Sequence, residues 1–142
     1  MIQVASQKSK SMRKPLSRER VLETAVALAD QRGAEALTMR KLAAELGVEA
    51  MSLYNHVENK NDLLDGMINL VFGEIEVPAP SGDWKSELRT RATSTRNALN
   101  RHRWAIGEME GRTDIGPENM CVHEVVLACL RGAGFTVEMT IH

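Results

Sequence analysis

The chain has 142 residues, of which 43% are hydrophobic, and a formal net charge of −1. This length predicts one domain or two small ones, with enough apolar residues for a packed core. No apolar run approaches the roughly 18 residues of a membrane span, and the polar N-terminus lacks a signal-peptide core. These features argue against membrane-spanning and secreted classes, so we expect a cytoplasmic protein without a membrane partner.

The near-neutral net charge conceals an uneven distribution. Residues 1–60 contain ten Lys and Arg against seven Asp and Glu, a balance of +3, whereas residues 61–142 contain eight against twelve, a balance of −4. Because basic surfaces attract polyanions, any nucleic-acid affinity is expected in the N-terminal part. The sequence is rich in Leu, Ala, Glu and Arg, with Gly and Pro mostly in a few clusters, which predicts an all-α protein.

The first 16 residues are polar and carry four basic side chains without an acid. They are Lys8, Lys10, Arg13 and Lys14. One interpretation is a flexible, solvated tail, which is favoured for residues 1–10. The other is a basic arm that contacts DNA phosphates or enters a minor groove. Pro15 prevents a helix from running through this segment.

A first helix is predicted from Arg18 to Arg32, with Ser17 as its N-cap and Gly33 at its end. Its apolar residues form a single stripe, namely Val21, Leu22, Ala25, Leu28 and Ala29. We expect this stripe to pack over the two helices that follow and to complete a three-helix domain.

The stretch from Thr38 to Lys60 predicts a helix-turn-helix. Two short helices, Met39 to Leu46 and Ala50 to Val57, flank a corner at Gly47, where a left-handed backbone costs least. Thr38 can cap the first of them. The outer face of the second helix contains no carboxylate and consists of Ala50, Met51, Ser52, Tyr54, Asn55 and His56. This composition suits a helix that approaches bases and phosphates in a major groove.

Linked segments of this region carry a resemblance to the DNA-binding domain of the TetR family of transcriptional repressors. They are LTMRKLAAELGV, SLYNHVENK and LLD, preceded by the helix SRERVLETAVALADQRG. A pair of amphipathic helices around a glycine also occurs in bundles without a nucleic-acid role. A linked match of this kind is hard to obtain by chance, so DNA binding is the favoured interpretation.

The resemblance implies roles for individual residues. Arg40 would reach the major groove or its rim, and the residues nearest the bases would be Ala50, Met51 and Asn55. Phosphates would be anchored by Ser52, Tyr54, His56 and Lys60, with Thr38 assigned to the same DNA-binding surface. For His56 the alternative is a histidine that merely ends a helix. The three base-proximal residues differ from those of the tetracycline repressor, so its operator sequence is not expected here.

A longer helix is predicted from Asn59, with Asp62 as a capping-box variant, to the breaker at residues 78–82. Its apolar residues keep helical spacing and are Leu63, Leu64, Met67, Ile68, Val71, Phe72 and Ile75. The resemblance implies that residues 61–77 are a connector helix between a DNA-binding domain, residues 17–60, and a regulatory domain, residues 78–142. A plain fourth core helix is the alternative, and the two roles are compatible.

Four more helices are predicted beyond the breaker. Asp83 caps a helix from Trp84 to about His102, and a short helix covers Ile106 to Met109. A central helix, apolar nearly all round, begins at Gly116-Pro117, and a last one begins at Thr136. TetR-like repressors dimerise through further helices. We therefore expect the regulatory domain to be incomplete at its C-terminus and the complete protein to be a homodimer.

This second half resembles the regulatory domain of tetracycline-repressor-type members through SGDWKSELR, HRWAIGEMEGRT and the run ending in GAGFTVEM. Tetracycline-binding members carry a histidine where this chain has Ile75 or Glu76, and a metal-coordinating histidine where it has Met109. Recognition of tetracycline with magnesium is therefore not expected. The implied effector pocket suits a different, more apolar small molecule and is lined by Phe72, Trp104, Met109 and Met120.

No pattern predicts an enzyme, a cofactor or a metal site. The four histidines lack metal-ligand spacing, and neither cysteine has a Cys-x-x-Cys partner. Cys121 and His123 point about 160° apart on one helix and cannot act as a nucleophile pair. Cys121 and Cys129 are too far apart on that helix for a disulfide. Buried free thiols are expected, with a redox sensor as the alternative.

Together these features predict a ligand-responsive, DNA-binding transcriptional repressor. The predicted fold is all-α, with a three-helix helix-turn-helix domain joined by a connector helix to a helical ligand-binding and dimerisation domain. Its expected partners are double-stranded DNA with a palindromic operator, a small-molecule effector and a second copy of the chain. The alternative is a constitutive DNA-binding or architectural protein without effector control.

Overall fold

The computed structural model describes residues 14–112 and 116–142, and the regular elements within these ranges are helical. The α-helices are α1 Arg18–Arg32, α2 Met39–Leu46, α3 Ala50–Leu53, α4 Lys60–Gly73, α5 Trp84–Arg101, α6 Trp104–Met109, α7 Pro117–Gly132 and α8 Val137–Ile141. A short 3-10 helix, Ala34–Ala36, precedes α2. The predicted all-α fold is confirmed. None of these helices combines the length and apolar character needed to cross a membrane. The predicted arm of residues 1–16 lies mostly outside the described residues.

Side-chain caps begin the N-terminal helices where the sequence predicts them. Ser17, Thr38 and Asn59 each accept a hydrogen bond from the backbone N–H three residues further on, at 3.1, 3.1 and 2.8 Å. Each bond satisfies a donor that the first helical turn leaves unpaired. At the other end of α2, Gly47 has φ 68°, in the left-handed region that favours glycine. The corner of the helix-turn-helix is therefore set by local sequence.

Two predicted helices are shorter than expected. The second helix of the motif, α3, ends at Leu53 rather than Val57, because the N–H groups of residues 54–56 donate to carbonyls three residues earlier, in a tighter turn. The helix predicted to reach the breaker, α4, ends at Gly73 because the next two N–H groups also bond three residues back. The chain then leaves the helix, and Glu76 N–H donates to Ser94 Oγ of α5 at 2.7 Å.

Two hydrophobic cores lie along α4. The N-terminal core packs α1, α2 and α3 against the first half of α4 and contains, among others, Val21, Leu42, Leu53, Leu63 and Met67, all fully buried. The second core joins the other half of α4 to α5, α6 and α7 through Ile68, Val71, Phe72, Ala98, Ala105 and Val122. Gly66 lets α1 approach α4 closely, because a Cβ there would lie 2.7 Å from Leu22 Cδ2.

The helix α7 is not the fully surrounded central helix that its apolar sequence predicts. Of its side chains only Asn119 and Val122 are buried, whereas Met120 and Leu127 are 58% and 44% exposed. It contacts α4, α5 and α8. Val125, Val126 and Leu130 are half-buried, so the helix is covered on part of its surface only.

Replacing Leu53 by Ala is expected to lower the free energy of unfolding by about 2–5 kcal/mol, because the change leaves a cavity in the N-terminal core. Met51 lies on the same helix but is 76% exposed. Met51→Ala should therefore change stability by less than about 0.5 kcal/mol. Urea denaturation followed by circular dichroism measures both variants. Equal losses would contradict the assignment of Leu53 to the core.

Candidate nucleic-acid interface

The helix-turn-helix exposes the polar side of α3 and of the turn that follows it. Met51, Tyr54 and Asn55 face solvent, whereas Leu53 and Val57 are buried beneath them. Three of the other predicted DNA-binding residues are exposed, namely Thr38, Arg40 and Lys60. The remaining three are half-buried, namely Ala50, Ser52 and His56. The division between buried and accessible positions is the one that the apolar spacing predicts.

Basic side chains flank this surface. Lys41 is held in place because its Nζ donates to the Ala36 carbonyl at 3.1 Å. Within the described part of the chain, Arg40 and Lys60 form neither an ion pair nor a side-chain hydrogen bond. Both can therefore extend toward a phosphate or a base edge without first breaking a contact. Thr38 differs, because its hydroxyl already accepts the capping bond of α2.

Arg18 of α1 connects the turn after α3 to the first turn of α4. Its guanidinium donates to both carboxylate oxygens of Asp62, at 2.9 and 3.1 Å, and to the His56 carbonyl at 2.9 Å. Asp62 Oδ2 also accepts from Glu58 N–H at 2.9 Å. The backbone leading to Lys60 is therefore fixed. Sequence reasoning assigned Asp62 only to capping and missed its partner, since 44 residues separate the pair.

The same contacts change the acidity of Asp62. The hydrogen bonds from Arg18 are the main reason that the pKa of the Asp62 carboxyl lies below its ordinary 3.8, while desolvation acts in the opposite direction. The hydrogen bond to Asp62 likewise raises the pKa of Arg18. Asp62 is thus a carboxylate at neutral pH. Both side chains are partly exposed, so solvent screening limits the stabilisation that the pair provides.

None of the described cavities is lined by any of the four residues of the predicted effector pocket. Phe72 is buried in the second core, with Trp104 and Met109 packed against that core, while Met120 is largely exposed on α7. An apolar cavity of about 400 Å³ lies instead between residues 77–84, the start of α5 and the second half of α7. Its lining includes Val77, Pro78, Trp84, Val125, Ala128 and Cys129.

The two cysteines are free and differ in environment. Cys121 is exposed, so the expectation of buried thiols is wrong for it, because α7 leaves part of its surface uncovered. Cys129 is half-buried, with Sγ 3.1 Å from Glu87 Oε2. Desolvation and then the Glu87 carboxylate raise the pKa of the Cys129 thiol to about 11. A thiol that stays protonated at neutral pH is a poor nucleophile.

The described residues contain no group of three or more His, Cys, Asp or Glu side chains placed to hold a metal ion.

Two family models match the chain. "Bacterial regulatory proteins, tetR family" covers residues 21–67, and "Tetracyclin repressor-like, C-terminal domain" covers residues 77–142. The chain belongs to the TetR family. The resemblance seen in the sequence is therefore confirmed for both halves.

Individual TetR-family relatives agree with this assignment. The chain is 40% identical over 130 residues to the HTH-type transcriptional repressor DrrR1 of Streptomyces coeruleorubidus, a match that spans 90% of this chain and 48% of DrrR1. It is 42% identical over 91 residues to the class D tetracycline repressor protein of Escherichia coli, spanning 62% of this chain and 42% of that protein. Both relatives are named as repressors. The chain spans about half the length of the curated relatives that it matches.

A solved structure extends the comparison to three dimensions. The TetR family protein ActR of Streptomyces coelicolor, in complex with actinorhodin, aligns with a TM-score of 0.83 at 35% identity. The alignment covers 90% of this chain and 62% of ActR. The arrangement of the two cores around α4 is therefore a TetR-family arrangement.

Replacing Asp62 by Asn is expected to lower the free energy of unfolding at pH 7 by less than about 1 kcal/mol, because a neutral amide loses the ion pair with Arg18. A carboxyl whose pKa falls on folding stabilises above its ordinary 3.8 and loses that contribution as the pH drops through its lower folded value. The difference between wild type and variant should therefore shrink below pH 3.8.

Urea denaturation at about pH 7 and about pH 3 measures this difference. Glu58→Gln, an exposed neighbouring carboxylate outside the described ion pairs, serves as the control and should change stability little at either pH. A wild-type advantage over Asp62→Asn that grows in acid would contradict the assignment.

Proposed function

We propose that this protein is a DNA-binding transcriptional repressor that acts in the cytoplasm and leaves a palindromic operator when a small-molecule effector binds. The observation that carries the proposal is the accessible, carboxylate-free surface of α3 and its following turn, displayed by a TetR-family helix-turn-helix. A surface without carboxylates approaches phosphates without charge repulsion. The name of the repressor DrrR1 and the actinorhodin complex of ActR support the two parts of the proposal.

In this proposal the residues divide between base reading and phosphate anchoring. Arg40, Met51 and Asn55 are exposed and supply, with Ala50, the groups nearest the base edges. Ser52, Tyr54, His56 and Lys60 hold the phosphates, and Thr38 keeps α2 capped at the same surface. Lys60 is the first residue of α4, where the positive end of the helix dipole adds to its charge.

Effector control requires a physical link from the regulatory half to this surface, and Arg112 supplies one. It follows α6 and donates to Asn61 Oδ1 at 2.9 Å and to the Asp65 carboxylate, both on the first half of α4. Its Nε also donates to the Glu108 carbonyl at 2.7 Å, which fixes the segment after α6. In this proposal a displacement of α6 shifts the first half of α4, which begins at Lys60. The shift changes how the α3 surfaces of two copies fit successive major grooves, which lie about 34–36 Å apart.

The proposed effector is an apolar small molecule. The apolar cavity beside Trp84, which Val77, Val125 and Ala128 also line, would hold it with few polar anchors, while Phe72, Trp104 and Met109 lie in or against the neighbouring second core. A constitutive DNA-binding protein without effector control is the second candidate. The contacts of Arg112 favour the regulated form, because they join α6 to the part of α4 that adjoins the DNA-binding surface.

Selection of bound duplexes from a random pool tests the proposal directly. Enrichment of a palindrome is expected, because two copies of one recognition surface related by a two-fold axis read two equal half-sites. An enriched non-palindromic sequence would remove the two-fold assembly from the proposal. No enrichment at low salt would overturn DNA binding itself.

Point variants on the enriched duplex separate the two kinds of contact. Tyr54→Ala and Lys60→Ala should weaken binding to all sequences alike, and Lys60→Ala should also reduce the salt slope by about one unit per monomer. Arg40→Ala and Asn55→Ala should instead alter which base is preferred. Fluorescence anisotropy titrations on matched and mismatched duplexes at several salt concentrations distinguish these outcomes. Unchanged affinity in all four variants would remove the assigned surface.

Isothermal titration calorimetry with tetracycline is expected to detect no tight, magnesium-dependent binding to this chain. Ile75 is buried and apolar, and Met109 packs against the second core, so neither position supplies the nitrogen ligand or polar anchor of tetracycline-binding members. The class D tetracycline repressor is the positive control. A submicromolar affinity that disappears when magnesium is chelated would contradict the proposed pocket.

A further inference from the structure

His102, the residue that follows α5, is buried between two carboxylates. Only 7% of its surface is exposed. Its Nδ1 lies 2.8 Å from Asp30 Oδ1 near the end of α1, and its Nε2 lies 2.8 Å from Glu74 Oε2 immediately after α4. One imidazole therefore joins the helix-turn-helix domain, the end of α4 and the start of the regulatory half.

The two contacts constrain the protonation state of the His102 ring. An ionised carboxylate only accepts hydrogen bonds, so both ring nitrogens must donate if both contacts are hydrogen bonds. The imidazolium form of His102 has two N–H groups, whereas the neutral form has one. In the neutral form a nitrogen lone pair would face either Asp30 or Glu74 in a buried setting, where unfavourable polar contacts are costly.

The neighbouring groups donate to the two carboxylates and do not replace the hydrogen bonds from His102. Asp30 Oδ1 also accepts from Trp104 Nε1 of α6 at 2.7 Å, and Glu74 Oε2 accepts from Arg101 of α5 at 3.2 Å. Those are the charged and polar partners that the described neighbouring helices place on the two carboxylates. Each carboxylate thus already holds one donor, and the ring proton is the additional donor that completes the bridge between them.

We propose that His102 is a proton-dependent positioning residue for DNA binding. With both nitrogens protonated, it ties Asp30 to Glu74 and fixes the helix-turn-helix domain against the far end of α4. Loss of one proton releases one carboxylate and loosens that domain, so DNA affinity falls as the pH rises. The inference rests on the DNA-binding function proposed above.

The test uses the full chain and the duplex enriched by selection, with anisotropy titrations from about pH 5.5 to about pH 8.5 at constant ionic strength. Wild-type affinity is expected to fall across this range roughly five- to tenfold more than that of His102→Gln, which carries no titrating ring. The remaining histidines are the same in both proteins, so the difference between the two profiles isolates His102. His123→Gln, an exposed histidine on α7, is the matched control and should keep the wild-type profile.

Glu74→Gln gives a second readout that a purely structural role would not produce. Its amide N–H can donate to a neutral His102 Nε2 while its carbonyl accepts from Arg101, so the bridge survives deprotonation. This variant should flatten the profile by retaining affinity at high pH, whereas His102→Gln flattens it by losing affinity at low pH. Circular dichroism of each variant establishes that it is folded before the comparison.

Parallel profiles for wild type and His102→Gln would overturn the inference, as would a folded Glu74→Gln protein with the wild-type pH slope. Binding of the duplex at every pH would in those cases leave the proposed function intact. Failure of the wild-type chain to bind any duplex at any pH would overturn both.

Discussion

The two hydrophobic cores share one helix, α4, and the positions of the other elements depend on that sharing. Leu63 and Met67 lie in the N-terminal core, whereas Ile68, Val71 and Phe72 belong to the second core. Because side chains in a packed core resist displacement, a shift of α4 must displace neighbouring side chains in both cores. A single helix therefore connects the recognition surface at its N-terminus to the regulatory half along its remaining length.

Apolar burial provides most of the stabilisation but little directionality, and polar contacts supply the orientation. Arg18 with Asp62 fixes the entry into α4, Arg112 holds the segment after α6 to the first half of α4, and His102 joins α1 to the end of α4. The three contacts lie at different points along the same helix. These polar contacts consequently help to set the orientation of the helix-turn-helix domain relative to the C-terminal half.

The C-terminal half differs from its sequence-based expectation in which apolar residues are buried and where a cavity forms. Met120 is exposed although its helix is strongly apolar, and an apolar cavity forms beside Trp84 rather than around Phe72. Burial along α7 depends on which elements cover each face, and here it contacts α4, α5 and α8. Helical spacing identifies an apolar face but does not state what lies against it.

The sequence by itself determined the helices of the DNA-binding domain, their caps at Ser17, Thr38 and Asn59, and the left-handed corner at Gly47, because these features depend on residues within a few positions of one another. The family and the accessible face of α3 followed from the same local patterns. Only the tertiary structure decided where α3 and α4 end and which residues meet across the fold. Arg18 meets Asp62 from 44 residues away and His102 meets Asp30 from 72, and no local spacing encodes a contact that depends on how separate helices pack.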